Sequence, residues 1–351
     1  MSQSHVLIVG SVALDSVQTP SGKAERALGG AATYSSVAAS FFAPVRIVGV
    51  VGEDFPAEHL AFLKSRGIDT EGLQIVRGGK TFHWAGTYEG DMNQANTLAT
   101  ELNVFSDFRP ELPESYKSSE FVFLANIDPE LQLKVLDQVT NAKLTAMDTM
   151  NFWIAGKPDK LREVMSRVDV VFINDAELRQ LTGEANLVRA AAQVRALGPS
   201  YVIVKKGEHG AVMYCTPPAP PHCTPPVPPL CKGGKEASAP FDEGGKGVST
   251  SFGEGGIGGL CFAAASYPLE EVIDPTGAGD TFAGGFMGYI ASTGELTHDN
   301  LRRAVVYGST LASFNVQDFS LNRLKRLTKA EIAERYEEFK RIVFFEETDA
   351  R

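Results

Sequence analysis

The stretch VIDPTGAGDTFAGGF at residues 272–286 combines small residues and a carboxylate in an order that suits phosphate chemistry. Gly277 and Gly279 let the backbone turn tightly, and the small Ala278 leaves room for an anion beside the main-chain amides. The residues that follow have a helical pattern, and the first amides of a helix are unpaired and carry the positive end of its dipole. The stretch therefore predicts an anion hole made by the backbone of residues 277–279.

Asp280 directly follows this predicted anion hole. A carboxylate there can accept the proton of a substrate hydroxyl while its oxygen attacks the terminal phosphorus of ATP. The structural alternative is an aspartate that caps a helix after a tight turn. The strand–loop–helix context favours the catalytic interpretation. The sequence contains no GxxxxGK[ST] motif and no GxGxxG after its first strand. The main sequence evidence for a P-loop protein or a dinucleotide-binding protein is therefore missing.

The elements that would position these residues alternate along the chain. Apolar runs rich in β-branched residues predict strands at 5–12, 45–51, 120–125, 143–148, 168–173 and 200–205. Helical spacing predicts helices at 30–41, 56–66, 129–141, 158–167 and 187–198. This alternation indicates an α/β fold with a mostly parallel sheet covered on both faces, and it places the ligand at the carboxyl ends of the strands.

A second, smaller sheet is predicted from two other segments. Residues 79–105 alternate apolar and polar residues around a Gly-Asp turn, which is typical of a two-stranded antiparallel element. Together with residues 13–28 they would form a small sheet that projects from the main domain and acts as a lid.

Residues 215–256 interrupt the α/β pattern with an eight-residue repeat that is first Pro-rich and then Gly-rich. Such a segment can neither pair in a sheet nor pack a core, so we interpret it as a poorly ordered insertion between strands at 211–214 and about 257–265. A zinc site is the alternative for its Cys and His residues, but four well-placed ligands are not evident. The whole of residues 1–351 is otherwise predicted to be a single domain.

Composition limits the partners. The 351 residues are 43% hydrophobic, which is enough for a large core, and the net charge of −10 with no long basic run argues against nucleic acid and anionic membranes. The sequence has no apolar run of the roughly 20 residues needed to span a bilayer and shows no sign of export. The cysteine spacing does not predict a disulfide framework, so we expect a cytoplasmic protein.

DPTGAGDTFAGGF resembles the C-terminal signature of the PfkB, or ribokinase, family of carbohydrate kinases, and GGAATYSSVAAS at 29–40 resembles its N-terminal Gly-Gly signature. The order of elements agrees from about residue 5 to 345, outside 215–256. The resemblance implies a ribokinase-like three-layer α/β/α domain with a mostly parallel central sheet and a small β-sheet lid. It also implies transfer of the γ-phosphate of ATP to an alcohol group of a small sugar, polyol or nucleoside, and it does not specify which.

The resemblance assigns Asp280 as the base and the 277–279 backbone as the anion hole. Asn174 and Glu177 in NDAELRQLTG match the family's N-x-x-E motif, so Glu177 is expected to hold Mg²⁺ through water. The alternative is a helix cap followed by a surface glutamate. Asp274 and Thr276 match the positions near which family members often use a monovalent cation such as K⁺.

The nucleotide turn of the family is matched by VKKGEHGAVM, although a plain glycine hairpin is the alternative. The implied ATP-binding residues in this turn and on the adenine side are Lys206, Gly207, Gly210, Gly308 and Asn315, together with Thr276.

On the acceptor side, the resemblance implies that Asp15 accepts hydrogen bonds from substrate hydroxyls and that Gly29 and Gly30 allow a polyol to approach. Asn126 and Asn151 follow later strands, where substrate contact and a turn or cap role are both open.

Thr33 is a further substrate-binding candidate, at a place where the family often has an asparagine. This departure prevents transfer of specificity for a particular sugar ring. A homodimer formed through the lid is compatible with the resemblance. The functional alternative is a non-catalytic sensor of the same fold that binds a nucleotide or metabolite.

Overall fold

The computed structural model describes residues 4–90, 92–215 and 259–343. The predicted insertion, apart from Cys215, lies outside the described residues. The strands in chain order are β1 (Val6–Val9), β2 (Ala13–Thr19), β3 (Gly22–Gly29), β4 (Val45–Gly52), β5 (Ile68–Asp69), β6 (Leu73–Val76), β7 (Phe82–Tyr88), β8 (Ala95–Glu101), β9 (Phe121–Leu124), β10 (Leu144–Met147), β11 (Val170–Asn174), β12 (Tyr201–Lys205), β13 (Ala211–Cys215) and β14 (Leu260–Ala264).

The helices lie between and after these strands. They are α1 (Ala31–Ala39), α2 (Ala57–Ser65), α3 (Pro129–Leu136), α4 (Asn151–Gly156), α5 (Pro158–Met165), α6 (Asp175–Thr182), α7 (Leu187–Arg195), α8 (Ala278–Thr293), α9 (His298–Asn315), α10 (Asn322–Arg326) and α11 (Lys329–Val343).

The central sheet has the strand order β14-β13-β12-β11-β10-β9-β1-β4-β5, and β6 also pairs with β4. Every pairing from β12 to β5 is parallel, whereas β13 and β14 join as antiparallel strands. Because parallel strands end at one edge, the carboxyl ends of β1, β9, β10, β11 and β12 meet there. The mostly parallel sheet confirms the predicted fold class.

Helices cover both faces of this sheet. Neighbouring residues of a strand point to opposite faces, so Ile8 belongs to the core beneath α1, α8 and α9. Val9 belongs to the core beneath α3, α5, α6 and α7. Both side chains are fully buried. The apolar runs of the sequence are continuous because each strand must fill two cores at once.

The small sheet has the order β3-β2-β7-β8. The β2–β3 and β7–β8 pairs are antiparallel, as the sequence predicts for residues 79–105, and β2 and β7 join them in parallel. The outer strand β8 is largely exposed. Its role as a lid and the assignment of the whole chain to one domain remain predictions.

Cys215, the last residue of β13, is disulfide-bonded. The cysteine spacing did not predict this bond. No helix within the described ranges is both long enough and apolar enough to cross a membrane.

Helices α1 and α8 pack at very short range. A Cβ atom on Gly284 would lie 2.2 Å from the Ser35 carbonyl oxygen, and one on Gly288 would lie 2.6 Å from the Cα atom of Ala39. Only glycine fits at these contacts, because real Cβ atoms do not approach backbone so closely. The Ser35 hydroxyl also donates to the Asp280 carbonyl oxygen at 3.0 Å, so α1 fixes the start of α8.

Gly288→Ala is therefore expected to lower the free energy of unfolding by about 1–3 kcal/mol, since the added methyl group must push α1 away. Gly156→Ala in α4 is the matched control, because its methyl group meets no atom within 4 Å. Alanine is the better helix former, so the control should be neutral or stabilising. Urea denaturation measures both, and equal stability of the two variants would contradict the close α1–α8 packing.

Candidate active site

The glycine turn of the DPTGAGD motif forms the start of α8. Gly277 is the N-cap residue and is left-handed, with φ of +72°. A Cβ atom there would lie 2.4 Å from ring atoms of Tyr34, so the ring supports the turn from below. The residues at 277–280 are all partly exposed, so the turn is open to a ligand rather than sealed in the core.

Unpaired amides remain at this turn. Among the described residues, the amides of Gly277, Gly279 and Asp280 have no acceptor, which is what an anion hole requires. The prediction also counted the amide of Ala278, but in the structure this amide donates to the Pro275 carbonyl at 3.1 Å. The amide of Asp280 therefore takes the place of the Ala278 amide among the donors available to an anion.

Asp274 holds the turn from behind. It is buried, and its two carboxylate oxygens accept the amides of Thr276 and Ser320, each at 2.9 Å. The fully buried Asn315 donates its side-chain amide to the Thr276 carbonyl at 2.8 Å. Gly308 lies further back, where a Cβ atom would be 2.7 Å from the Phe282 carbonyl oxygen.

Asp280 lies in the first turn of α8 and is half-buried. Removal from water raises its pKa to about 7, and the nearby carboxylates of Asp148 and Glu177 act in the same direction. The ammonium group of Lys205 opposes them. A carboxyl group with this pKa can take up a proton at neutral pH, as a general base must.

Lys205 ends β12 and Asp148 follows β10, and the two form a buried ion pair. The Lys205 Nζ lies 2.5 Å from Asp148 Oδ2, and their side chains are 17% and 3% exposed. A Cβ atom on Gly279 would lie 3.0 Å from the same Nζ. Burial alone would lower the pKa of Lys205, but Asp148, Glu177 and Asp280 outweigh it and raise this pKa. The lysine is therefore charged and lies directly beneath the glycine turn.

Asn174 and Glu177 form a capping box at the start of α6. The Asn174 side chain accepts the Glu177 amide at 2.7 Å, and a Glu177 carboxylate oxygen accepts the Asn174 amide at 2.9 Å. Burial raises the pKa of Glu177 to about 7, with Lys205 opposing and Asp148 adding to it. The helix cap therefore exists, and it aims a carboxylate at the same cluster as Asp280.

The turn between β12 and β13 contains Lys206, Gly207 and Gly210. The Lys206 amide donates to the Gly210 carbonyl at 2.8 Å, and both glycines have a positive φ, of +54° and +84°. This is a glycine hairpin, as the structural alternative proposed, and it adjoins the Lys205 end of the cleft. The nucleotide role of these three residues stays a prediction.

Asp15 lies in β2, far in the sequence from the glycine turn. It is 5% exposed, and the Gly30 amide donates to it at 3.3 Å. A Cβ atom on Gly29 would lie 1.9 Å from its carboxylate, so both glycines are needed for this contact. Burial raises the pKa of Asp15 to about 7, the Gly30 bond opposes this, and Asp274 and Asp280 raise it further. The fold thus brings Asp15 close enough to Asp274 and Asp280 for their charges to act on it.

The other predicted substrate residues are more scattered. The Asn126 side chain accepts a hydrogen bond from Trp153 Nε1 at 3.1 Å and lies 3.0 Å from the sulfur of Met150. Asn151 is exposed at the start of α4. Thr33 is buried in α1, with a hydroxyl that has no partner among the described residues.

The small sheet reaches over the glycine turn. The Tyr88 hydroxyl lies 3.3 Å from Thr276 Oγ1, and burial raises the pKa of Tyr88 to about 12. A Cβ atom on Gly207 would lie 2.6 Å from Asn93 Oδ1, so the β7–β8 connection also reaches the β12–β13 turn. These contacts bring the small sheet against the glycine turn and the β12–β13 turn.

Sequence reasoning missed Asp148, Lys205 and Tyr88. Asp148 is the first residue after β10, and Lys205 is the last residue of β12. The rule that placed ligands at the carboxyl ends of parallel strands could have identified both. Tyr88 carried no comparable signal, because its contact with Thr276 spans 188 residues.

Comparisons with known proteins give one family match and a relative of similar length. A family model described as pfkB family carbohydrate kinase matches residues 4–229 and 241–326. A cytidine kinase of Thermococcus kodakarensis is 30% identical over 286 residues, which cover 80% of this chain and 87% of that protein.

Solved structures show the same fold. A nucleoside kinase of Burkholderia thailandensis in complex with inosine has a TM-score of 0.66 at 18% identity, covering 95% of this chain and 96% of that one. An Arabidopsis thaliana ribokinase complexed with ribose and ATP has a TM-score of 0.67 at 18% identity, covering 95% and 99%.

The raised pKa of Asp15 predicts a stability change with pH. Its folded pKa of about 7 exceeds its ordinary value of 3.8, so between these values the native state holds a proton that the unfolded chain releases. Stability should therefore fall as the pH rises through this interval, and the whole penalty is present above about pH 7. Asp15→Asn cannot ionise, so at pH 8 it should raise the free energy of unfolding by on the order of 1–3 kcal/mol.

Asp159→Asn is the matched control, because the Asp159 side chain is 96% exposed. Urea denaturation at pH 5 and pH 8 should show a gain for Asp15→Asn that grows with pH and no such gain for the control. A variant less stable than the wild type at pH 8 would mean that Asp15 is ionised and stabilised in the empty site.

Proposed function

Because this chain belongs to the PfkB family of carbohydrate kinases, we propose that it is an ATP-dependent nucleoside kinase with Asp280 as its base. The observation that carries the proposal is the position of Asp280. Its half-buried carboxyl group, with a pKa of about 7, adjoins the unpaired amides of Gly277 and Gly279 at the start of α8. This proximity in the first turn of α8 supports a base and an anion hole that act on the same phosphoryl group.

The chemistry follows from this arrangement. The acceptor hydroxyl oxygen attacks the terminal phosphorus atom of ATP, a new O–P bond forms, and the bond to the bridging oxygen breaks with its electron pair leaving on ADP. The hydroxyl proton passes to Asp280. The amides of the turn stabilise the charge on the transferring phosphoryl group. Asp15 would accept hydrogen bonds from the acceptor's other hydroxyl groups.

Glu177 suits a water-mediated contact with Mg²⁺, whereas Asp274 and Thr276 are less suited to bind K⁺. Among the described residues, no three His, Cys, Asp or Glu side chains are placed to hold one metal ion, and the carboxyl groups of Asp148, Glu177 and Asp280 surround Lys205 instead. Glu177 fits the expected contact through water, and Mg²⁺ bound to ATP would neutralise phosphate charge. Asp274 and Thr276 already use their oxygens as hydrogen-bond acceptors in the turn. We therefore propose that Asp274 and Thr276 hold the turn in place. No step of the reaction is assigned to potassium.

The contacts of Tyr88 with Thr276 and of Asn93 with Gly207 support a lid role for the small sheet. A closed sheet would exclude water from the terminal phosphate and so protect ATP from hydrolysis.

Cytidine is the first acceptor to test, because the T. kodakarensis relative is named a cytidine kinase and its similarity covers 80% of this chain. An ADP-release assay with Mg²⁺ should compare cytidine, uridine, inosine, adenosine, ribose and fructose. We expect turnover with at least one nucleoside and the highest kcat/KM with cytidine. Turnover with free sugars alone would make the protein a sugar kinase. ATP binding without turnover on any acceptor would favour the sensor alternative.

Asp280→Asn should lower kcat by about 10²–10⁴-fold and leave ATP affinity nearly unchanged, because the amide keeps the shape but cannot accept the proton. Asp299→Asn is the matched control, since Asp299 is also in the first turn of a helix, α9, and is 75% exposed. The wild-type kcat/KM should rise with pH up to about 7 and then level off, because Asp280 acts in its ionised form. Equal rates for Asp280→Asn and the wild type would exclude Asp280 as the base.

A further inference from the structure

The proposed reaction assigns no role to Lys205, the cation at the centre of the carboxylate cluster. We propose that Lys205 is a further catalytic residue whose ammonium group contacts the transferring phosphoryl group, and that Asp148 is a positioning residue that holds it there. This inference rests on the proposed kinase function.

The geometry places the ammonium group at the anion hole. Lys205 pairs in register with Asn174 of β11, so its side chain starts at the carboxyl edge of the sheet. Its Nζ lies 3.0 Å from the position of a Cβ atom on Gly279. The amides of Gly279 itself and of the next residue, Asp280, have no acceptor among the described residues. An anion bound by those amides would therefore be within reach of the ammonium group.

Asp148 is built as a fixed support. Its Oδ1 accepts the Thr149 amide at 2.8 Å, and its own amide donates to the Leu124 carbonyl at 2.9 Å. Its Oδ2 lies 2.5 Å from Lys205 Nζ. A lysine ammonium is a compact point charge with three donors, so one can bind Asp148 while the others face the cleft.

The charge balance also favours a role beyond pairing. Three carboxyl groups, those of Asp148, Glu177 and Asp280, act on Lys205. A lysine that served only to neutralise Asp148 would leave Glu177 and Asp280 next to the position where ATP phosphates must bind. Positive charge is needed there, because the phosphoryl group carries negative charge throughout its transfer.

Lys205 moves no proton in this scheme. It stays an ammonium ion while the acceptor oxygen bonds to phosphorus, the bridging oxygen leaves with ADP, and the acceptor proton goes to Asp280. Its contribution is to hold the terminal phosphate in line and to stabilise its charge.

The test compares Lys205→Met with the double variant Lys205→Met/Asp148→Asn. The single variant leaves a buried carboxylate unpaired and can fail to fold, whereas the double variant removes both charges and should keep its fold. In the double variant we expect kcat to fall by about 10²–10³-fold, as for loss of one anion-hole donor. A non-hydrolysable ATP analogue should bind at least tenfold more weakly by calorimetry, and ADP should bind as in the wild type.

Lys143→Met is the matched control. Lys143 also forms an ion pair, with Glu120 at 2.7 Å, at the opposite end of β10 from Asp148. This variant should keep wild-type kcat and nucleotide affinities.

The outcomes separate the two proposals. If Lys205 only neutralises Asp148, the double variant will recover wild-type kcat and analogue affinity, and the inference is overturned. Equal weakening of ADP and the analogue would likewise show a general defect instead of a contact with the terminal phosphate. If the wild type shows no acceptor-dependent ADP release, the kinase proposal fails, while the analogue-to-ADP comparison still tests where Lys205 binds.

Discussion

The site depends on how negative charge is held at the carboxyl edge of the central sheet. Asp148, Glu177 and Asp280 share one buried cation, Lys205. At an effective dielectric constant of about 20, two charges 4 Å apart interact by about 4 kcal/mol, so the ionisation of any one carboxyl group affects the others strongly. Burial is the main cause that raises the pKa of Asp280 and of Glu177 to about 7, and the neighbouring carboxylates add to it. At neutral pH the carboxyl groups of the cluster can bind protons, which lowers their total negative charge. In the proposed reaction the phosphates of ATP would bind beside this cluster.

The fold holds this cluster in place by very close packing. Tyr34 of α1 lies beneath Gly277, and the contact of Gly284 with the Ser35 carbonyl brings α8 against the same helix. Asp274 fixes the turn from its other side through the Thr276 and Ser320 amides. The glycines of the motif are therefore needed for the position of the turn as well as for its shape. A displaced α8 would move Asp280 and the unpaired amides together.

Much of the fold could be predicted from the sequence, because each parallel strand must be apolar on both faces. The runs at 120–125, 168–173 and 200–205 coincide with β9, β11 and β12 to within two residues. The site could be predicted only in part. Sequence reasoning chose Lys206, whereas the lysine that points into the cluster is Lys205, one position earlier. Lys205 is the last residue of β12 and by alternation shares the face of Ile203, which belongs to the core beneath α8, so the period of the strand could have selected it over Lys206.

Contacts between distant segments were beyond prediction for another reason. Thr276 meets Tyr88 from the small sheet and Asn315 from the end of α9, and neither contact leaves a local pattern. The disulfide bond of Cys215 is a similar case, because cysteine spacing alone cannot show which strands approach each other. The contacts of Thr276 with Tyr88 and Asn315 help to fix the position of the glycine turn, which its own residues do not determine.

The coupling between Asp15 and Asp280 links acceptor binding to the strength of the base. Asp280 is among the groups that raise the pKa of Asp15, and a repulsion between two carboxylates disfavours the ionisation of both. In the proposed reaction, acceptor hydroxyls donate to Asp15 and stabilise its ionised form. An ionised Asp15 disfavours a second negative charge at Asp280, so Asp280 then holds a transferred proton more firmly. The acceptor would thus strengthen the base that deprotonates it, whereas in an empty cleft Asp15 can stay protonated and Asp280 is the weaker base.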